Sequence, residues 1–278
     1  MKSSILSLLL LFGLTVAPAF AQSPNVPVFW DEKEQFTVPD LSTRERIRFL
    51  TTTDFAPFNF LDANGRLSGF HVDLARAICR ELKISDRCQI QALPWSELDA
   101  ALSDKQGEAL LAGVAITAES REKYAFTRPY LRFPARFVAT NASNFAEPLY
   151  QSLQSRRIGV VAASSHERML KADFPKSVAI PYPDAKTMQD ELAEGKLDAV
   201  FGDGMRLAIW LGTSQEAGCC RFVGGPYIAP EHLGQGLAIA VPKEDQELAQ
   251  AFNYALHEIG VKGIFAELYL RYFPISFY

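Results

Sequence analysis

Short apolar runs alternate with amphipathic stretches along most of this chain, and that alternation limits its possible folds more than any other feature. From residue 47 "IRFLTTT" reads as a strand. "GFHVDLARAICREL" follows, with Phe70, Leu74, Ile78 and Leu82 at helical spacing. "CQIQAL" is a strand, "SELDAALSDK" a helix with Ser96 as its N-cap, and "EALLAGV" a strand. "ARFVAT" is a further strand after the proline-rich "TRPYLRFP". A second block begins near residue 147, with "PLYQSLQS", "SHERMLKADF", "DAKTMQDELAEGK" (capped by Asp184) and "GMRLAIWLGTS" as helices. Between them lie the strands "RIGVVA", "SVAIPY", "LDAVFGD" and "CRFVGG". The chain closes with a strand, "GLAIAVP", and two helices, "QELAQAFNYALHEIG" and "IFAELYLRYF". Strands separated by helices pair in parallel and pack the helices on the sheet faces. Two such blocks predict an α/β protein of two lobes.

The first residues read as an export signal. Lys2 precedes the apolar run "ILSLLLLFGLTVAP", and small Ala19 and Ala21 stand before Gln22, so cleavage is expected after Ala21. That run is too short and too quickly ended to read as a membrane-spanning helix. No cysteine follows the cleavage point to carry a lipid anchor. Residues 22–46 hold three prolines and no sustained period, and are expected to form an extended arm packed by Phe29 and Trp30. The formal charge of −4 is mild and the basic residues are scattered, which argues against nucleic acid as a partner. Export permits disulfides. Cys79 falls late in a helical pattern and Cys88 at the start of a strand, where a bridge would staple one to the other. Adjacent Cys219 and Cys220 either form a vicinal bridge or stay reduced. Metal binding is the rival reading of these cysteines, but no His or second Cys pair lies at zinc-ligand spacing, and no metal is expected.

Ligands of open α/β sheets sit beyond the carboxyl ends of the strands, so the residues there carry the functional reading. After the first strand comes "TDFAPFNF", in which Phe58 and Phe60 suit a core and Phe55 can turn a face to a cleft. Trp95 follows the second strand, as core or as a second wall. After the third comes "AGVAITAESR", where Gly113 permits close backbone approach. Arg121 is then either an anion anchor or a solvated residue at a helix start. In the second block Ser165 opens a helix whose free N–H groups favour an anion, or is an ordinary N-cap. Asp203 ends an apolar strand, to cap the next helix or to receive an ammonium. Together, Arg121 and Ser165 would hold a carboxylate, Asp203 an amine, and Phe55 and Trp95 the apolar part of a zwitterion.

These stretches resemble the periplasmic solute-binding proteins of polar amino-acid ABC importers, family 3, over roughly residues 46 to 275. The likeness rests on "TTTDFAPFNFLDANGRLSGFHVDLARAICREL", "GVAITAESREKYAFTRPY", "RIGVVAASSHERML" and "GKLDAVFGD". It implies the type II periplasmic binding-protein fold, in which two lobes joined by two hinge crossings close on the ligand. Each lobe is then a mixed, mostly parallel sheet flanked by helices. Lobe one would comprise residues 47–134 with 237–278, and lobe two residues 135–236. Asp203 would bind the amino group and Ser165 the carboxylate, with Phe55 and Trp95 as walls. Cys79 and Cys88 fall near a disulfide seen in some basic amino-acid binders. The clamp arginine of the family stands three residues after the Thr of "IT". Here that slot is Ser120 and Arg121 follows it, a rotation of about 100° on a helix. Arg121 is taken as the clamp nonetheless. The slot two before Thr117, often a hydroxyl that bonds the ammonium, is Ala115.

The resulting expectation is a monomeric periplasmic protein without cofactor or catalytic residue. It would capture an amino-acid-like ligand and hand it to an inner-membrane ABC permease. The alternative is an enzyme on the same scaffold, a dehydratase acting on a small cyclic acid, with His166 and Asp203 as the acid–base candidates. His166 otherwise reads as a solvated helix residue. A sensory or peptidoglycan-associated module is a third reading, disfavoured because no added domain is apparent.

Overall fold

The structure, a computed structural model, describes residues 33–273 and 275–278 together with Val26, Phe29 and Asp31. The expected leader at residues 1–21 and Trp30 lie outside the described residues. The first part of the chain forms β1 (Ile47–Thr51) and a small antiparallel meander of β2 (Asp54–Phe55), β3 (Asn59–Leu61) and β4 (Leu67–Ser68). Then come α1 (Phe70–Glu81), β5 (Cys88–Ala92), α2 (Leu98–Ser103), β6 (Ala109–Leu110), α3 (Ser120–Lys123) and β7 (Tyr124–Phe126). The middle part forms β8 (Ala135–Thr140), α4 (Leu149–Ser152), β9 (Arg157–Val161), α5 (Ser165–Asp173) and β10 (Val178–Tyr182). It continues with α6 (Ala185–Ala193), β11 (Ala199–Asp203), α7 (Gly204–Thr213), β12 (Cys220–Tyr227) and α8 (Pro230–Leu233). The last part is β13 (Ala240–Pro242), α9 (Gln246–Val261) and α10 (Ile264–Tyr272).

Two five-stranded sheets result, in the orders β5-β1-β6-β13-β7 and β10-β9-β11-β8-β12. In each, four strands run one way and one runs against them, β13 in the first and β8 in the second. These are the two strands on which the chain enters a sheet from the other one. The parallel strands point their carboxyl ends at the shared boundary, so a strand that starts at the boundary must run away from it. The register agrees: Ala135, first residue of β8, lies opposite Asp203, last residue of β11. Near that boundary the two crossing segments pair with each other, Tyr130 N–H donating to the Leu237 carbonyl at 2.9 Å and Leu237 N–H to that of Leu131 at 2.7 Å.

Period-two alternation decides which helix meets which face. Phe49 turns to the core shared with α1, α9 and α10, while its neighbour Leu50 turns to Leu98 and Leu102 of α2. In the second sheet Phe201 packs with Met169 and Leu170 of α5, and Val200 with Met188, Leu192 and Leu207 of α6 and α7. The helical spacing of α1 is realised, with Phe70, Leu74 and Ile78 fully buried. Its entry needs Gly69, at φ 129°, because a Cβ there would sit 2.2 Å from the Phe58 carbonyl oxygen.

Residues 275–278 fold back between the sheets. Gly204, Ala208 and Gly212, four apart on α7, form a flat stripe against them; a Cβ on Gly212 would lie 3.3 Å from Ile275 and one on Gly204 3.3 Å from the Phe277 carbonyl. Phe277 is fully buried beside Tyr269 and Phe273. Phe29 of the arm meets Tyr278 edge-on at 5.8 Å, and Arg132 lies 5.5 Å over the Phe29 ring.

Several local expectations are corrected. Ser96 caps nothing: Pro94 starts a 3-10 turn over Trp95–Glu97, and α2 begins only at Leu98. The helix expected over "PLYQSLQS" is confined to four residues. Both cysteine pairs are bridged, Cys79 to Cys88 with Cα atoms 6.2 Å apart and Cys219 to Cys220. The first joins the last turn of α1 to the start of β5.

Candidate functional site

On the first sheet the site is built from the loops after β1, β5 and β6. Phe55 is half-buried and stacks on the fully buried Phe58 with centroids 4.7 Å apart. Gly113 comes against it at φ 81°, a region glycine occupies freely, and an added Cβ would stand 3.0 Å from Phe55 Cε1. Only glycine lets the 111–119 loop close on that ring. Trp95 is 55 % exposed, so the core reading fails and a large apolar face is free at the end of β5. Ala115 is exposed and its carbonyl accepts from the Ser120 hydroxyl at 2.7 Å. Ser120 thus folds back onto the "IT" turn, where its N–H also bonds Thr117 Oγ1 at 3.0 Å.

Arg121 goes elsewhere. Its guanidinium lies 5.9 Å from the Phe126 ring, in a groove of about 350 Å³ with Lys243 and with Gln246, Gln250 and Asn253 of α9. Its carbonyl accepts from Lys243 Nζ at 2.8 Å. The one-residue offset therefore has its full helical consequence: the side chain turns to the α9 side of β7, and its contacts join it to that groove and not to Phe55 and Gly113. In this structure Arg121 therefore stands apart from Phe55 and Gly113, the residues expected to join it in a first-lobe anion clamp.

On the second sheet α5 and α7 begin beside each other at the ends of β9 and β11. Ser164, not Ser165, is the N-cap of α5; its hydroxyl accepts the Glu167 N–H at 3.0 Å. Ser165 is the first helical residue, half-buried, and its hydroxyl accepts from Arg168 Nη2 at 2.8 Å. Arg168, which sequence reasoning passed over, thus sets a cation beside the α5 N-terminus; its i+3 spacing from Ser165 was the available signal. Asp203 caps α7, Oδ1 accepting from Arg206 N–H at 2.9 Å, and is half-buried, so its second oxygen is what it has to offer a ligand. His166 is not a solvated residue. Its ring packs edge-on against Phe201 at 6.2 Å, and burial lowers its pKa below the ordinary imidazole value. The Asp203 carboxylate opposes that shift and Arg206 adds to it, which puts His166 and Asp203 within electrostatic reach of each other.

A groove of about 1360 Å³ is at the other end of the first sheet, lined by Arg44, Arg46, Asp99, Glu108 and Lys123. It faces the amino ends of β1 and β6, opposite the strand ends just described. Among the described residues no helix is long and apolar enough to cross a membrane.

Comparison with known proteins agrees with the fold. The sequence pattern of bacterial extracellular solute-binding proteins, family 3, matches residues 47–275. The histidine-binding periplasmic protein of Salmonella typhimurium is 30 % identical over 237 residues, 84 % of this chain and 90 % of that one. The lysine/arginine/ornithine-binding periplasmic protein of Escherichia coli is 27 % identical and aligns over 100 % of this chain and 99 % of its own. Among solved structures, the L-cystine solute receptor of Neisseria gonorrhoeae in its unliganded open conformation superposes with a TM-score of 0.72 at 20 % identity, covering 84 % of this chain and 94 % of the receptor.

Proposed function

The chain belongs to the bacterial extracellular solute-binding proteins, family 3, and on that premise we propose that it captures an amino acid by closure of two lobes and delivers it to an ABC importer. The lobes are residues 47–134 with 237–278 and residues 135–236, the paired crossing segments acting as the hinge. The mature protein begins after Ala21, works as a periplasmic monomer and docks on an inner-membrane permease. One observation carries the reading: both sheets aim their carboxyl ends at one boundary, with Phe55, Trp95 and Gly113 on one side and Ser165 and Asp203 on the other. A ligand that touches both sets favours the closed form by the difference in its contacts.

In this reading Phe55 and Trp95 enclose the apolar part of the ligand and Asp203 takes its ammonium. Its carboxylate goes to the free N–H groups at the start of α5, with Ser165 beside them and Arg168 in place of Arg121. Arginine, lysine, ornithine and histidine are the first candidates. Relatives are named for them, and exposed Asp54 beside Phe55 adds negative charge where a cationic side chain would end. The dehydratase alternative gains nothing from the family, whose members serve transport.

Thermal-shift screening of residues 22–278 against amino acids, followed by calorimetry, tests the function. A ligand at a hundred times its Kd stabilises by about 2.7 kcal/mol, a shift of several degrees in Tm. Absence of any shift across the amino acids overturns the proposal; turnover of a cyclic acid would replace it by the enzyme.

A further inference from the structure

Beneath the Phe55 loop runs a chain of buried polar side chains that the site as described does not use. Asn59 Nδ2 donates to the Thr52 hydroxyl at 2.7 Å and to the Thr52 carbonyl at 3.1 Å. Its Oδ1 lies 2.7 Å from His71 Nδ1, and His71 Nε2 lies 2.8 Å from the Tyr130 hydroxyl. Thr52, Asn59, His71 and Tyr130 are all at most 2 % exposed. With the Asn59 amide nitrogen committed to Thr52, Oδ1 can only accept, so Nδ1 carries the imidazole proton and Nε2 accepts from Tyr130. A second proton on the ring would turn Nε2 into a donor and reverse that last bond, the Tyr130 hydroxyl then accepting. Burial lowers the pKa of His71 to about 3, a hydrogen bond to the Leu111 backbone opposing, so the ring is neutral across the working range.

The ends of this chain give it its meaning. Thr52 and Asn59 bracket the Phe55 turn, and the His71 backbone N–H donates to the Phe58 carbonyl at 2.8 Å. Tyr130 belongs to the first crossing segment, and its N–H bonds Leu237 of the second. Apolar side chains would fill the same space without desolvating four polar groups; what the polar chain adds is a fixed geometry.

Resting on the proposed site, we propose that His71 is a positioning residue, holding the Phe55 wall in register with the paired crossing segments so that ligand stacking and lobe closure are coupled. The test is a double-mutant cycle on ligand affinity, using Tyr130→Phe, Phe55→Ala and the double variant. Tyr130→Phe removes one hydroxyl and keeps the ring against Phe70. The expected result is a Kd raised about tenfold by Tyr130→Phe alone and changed less than twofold once Phe55 is gone. The same fold-change in both backgrounds, or none in either, assigns the chain a structural role only and overturns the proposal. His71→Gln, which keeps one donor and one acceptor, is expected to retain affinity that His71→Leu loses; equal loss in both counts against it. Unchanged affinity in Phe55→Ala alone would overturn the site reading itself, a result distinguishable from the others because it needs no second variant.

Discussion

At Asp203 a single carboxylate both caps a helix and is offered to a ligand, and the two roles can be separated. Asp203→Asn keeps an oxygen for the Arg206 amide and so most of the capping energy, about 1 kcal/mol. It removes the charge, and a hydrogen bond to a charged group is worth about 1.5–3 kcal/mol. Calorimetry is expected to show affinity lowered about ten- to a hundredfold with Tm nearly unchanged; retained affinity removes Asp203 from the site. For Arg121 the expectation is the reverse: Arg121→Ala changes affinity less than twofold, since the guanidinium lies over Phe126. A tenfold loss would show that it swings into the cleft on closure. His71 predicts a pH dependence. Between about pH 6.5, where an exposed imidazole takes a proton, and about pH 3, where His71 does, the unfolded chain binds the extra proton. Stability therefore falls as pH drops through that window, by up to about 1.4 kcal/mol per pH unit. Urea unfolding at pH 7 and pH 5 should show a slope that His71→Gln reduces; an unaltered slope contradicts the burial of a neutral ring. The residue types at the strand ends were legible in the sequence. The direction of a side chain displaced by one helical position was not, because Ser120 settles the turn through a carbonyl that no pattern displays.

Among the elements, alternation of strand and helix was plain because the strands of the two large sheets are mostly apolar runs and four helices, α5, α6, α7 and α9, open on polar caps such as Asp184. Strand order was hidden. β9 and β10 are consecutive and pair in parallel, but β1 lies between β5 and β6 and β9 between β10 and β11, and only the packed sheet reveals it. The Cys79–Cys88 pair was legible from helix-to-strand spacing. Its ten-residue loop corresponds to about 3 kcal/mol of unfolded-state entropy. The vicinal Cys219–Cys220 bridge encloses no intervening chain. Chemical denaturation should thus show Cys79→Ser/Cys88→Ser losing about 3 kcal/mol and Cys219→Ser/Cys220→Ser much less; equal losses would contradict the entropic account.

On the scale of the whole molecule, the two sheets are joined by crossing segments, and a third connection is the segment 275–278 on the small-residue stripe of α7. Nothing in its sequence announced this, since four residues carry no period. In the proposed mechanism closure moves the lobes about the paired crossings while groups from both sheets converge on the ligand, and that convergence is the central claim. Small-angle scattering with the tightest-binding amino acid tests it most directly, on the wild type and on Asp203→Asn at the same ligand concentration, a few times the wild-type Kd. The account predicts a smaller radius of gyration on ligand addition in the wild type and less than half of that decrease in the variant, whose lower affinity leaves it mostly unliganded. Binding without compaction, or equal compaction in Asp203→Asn, would contradict it.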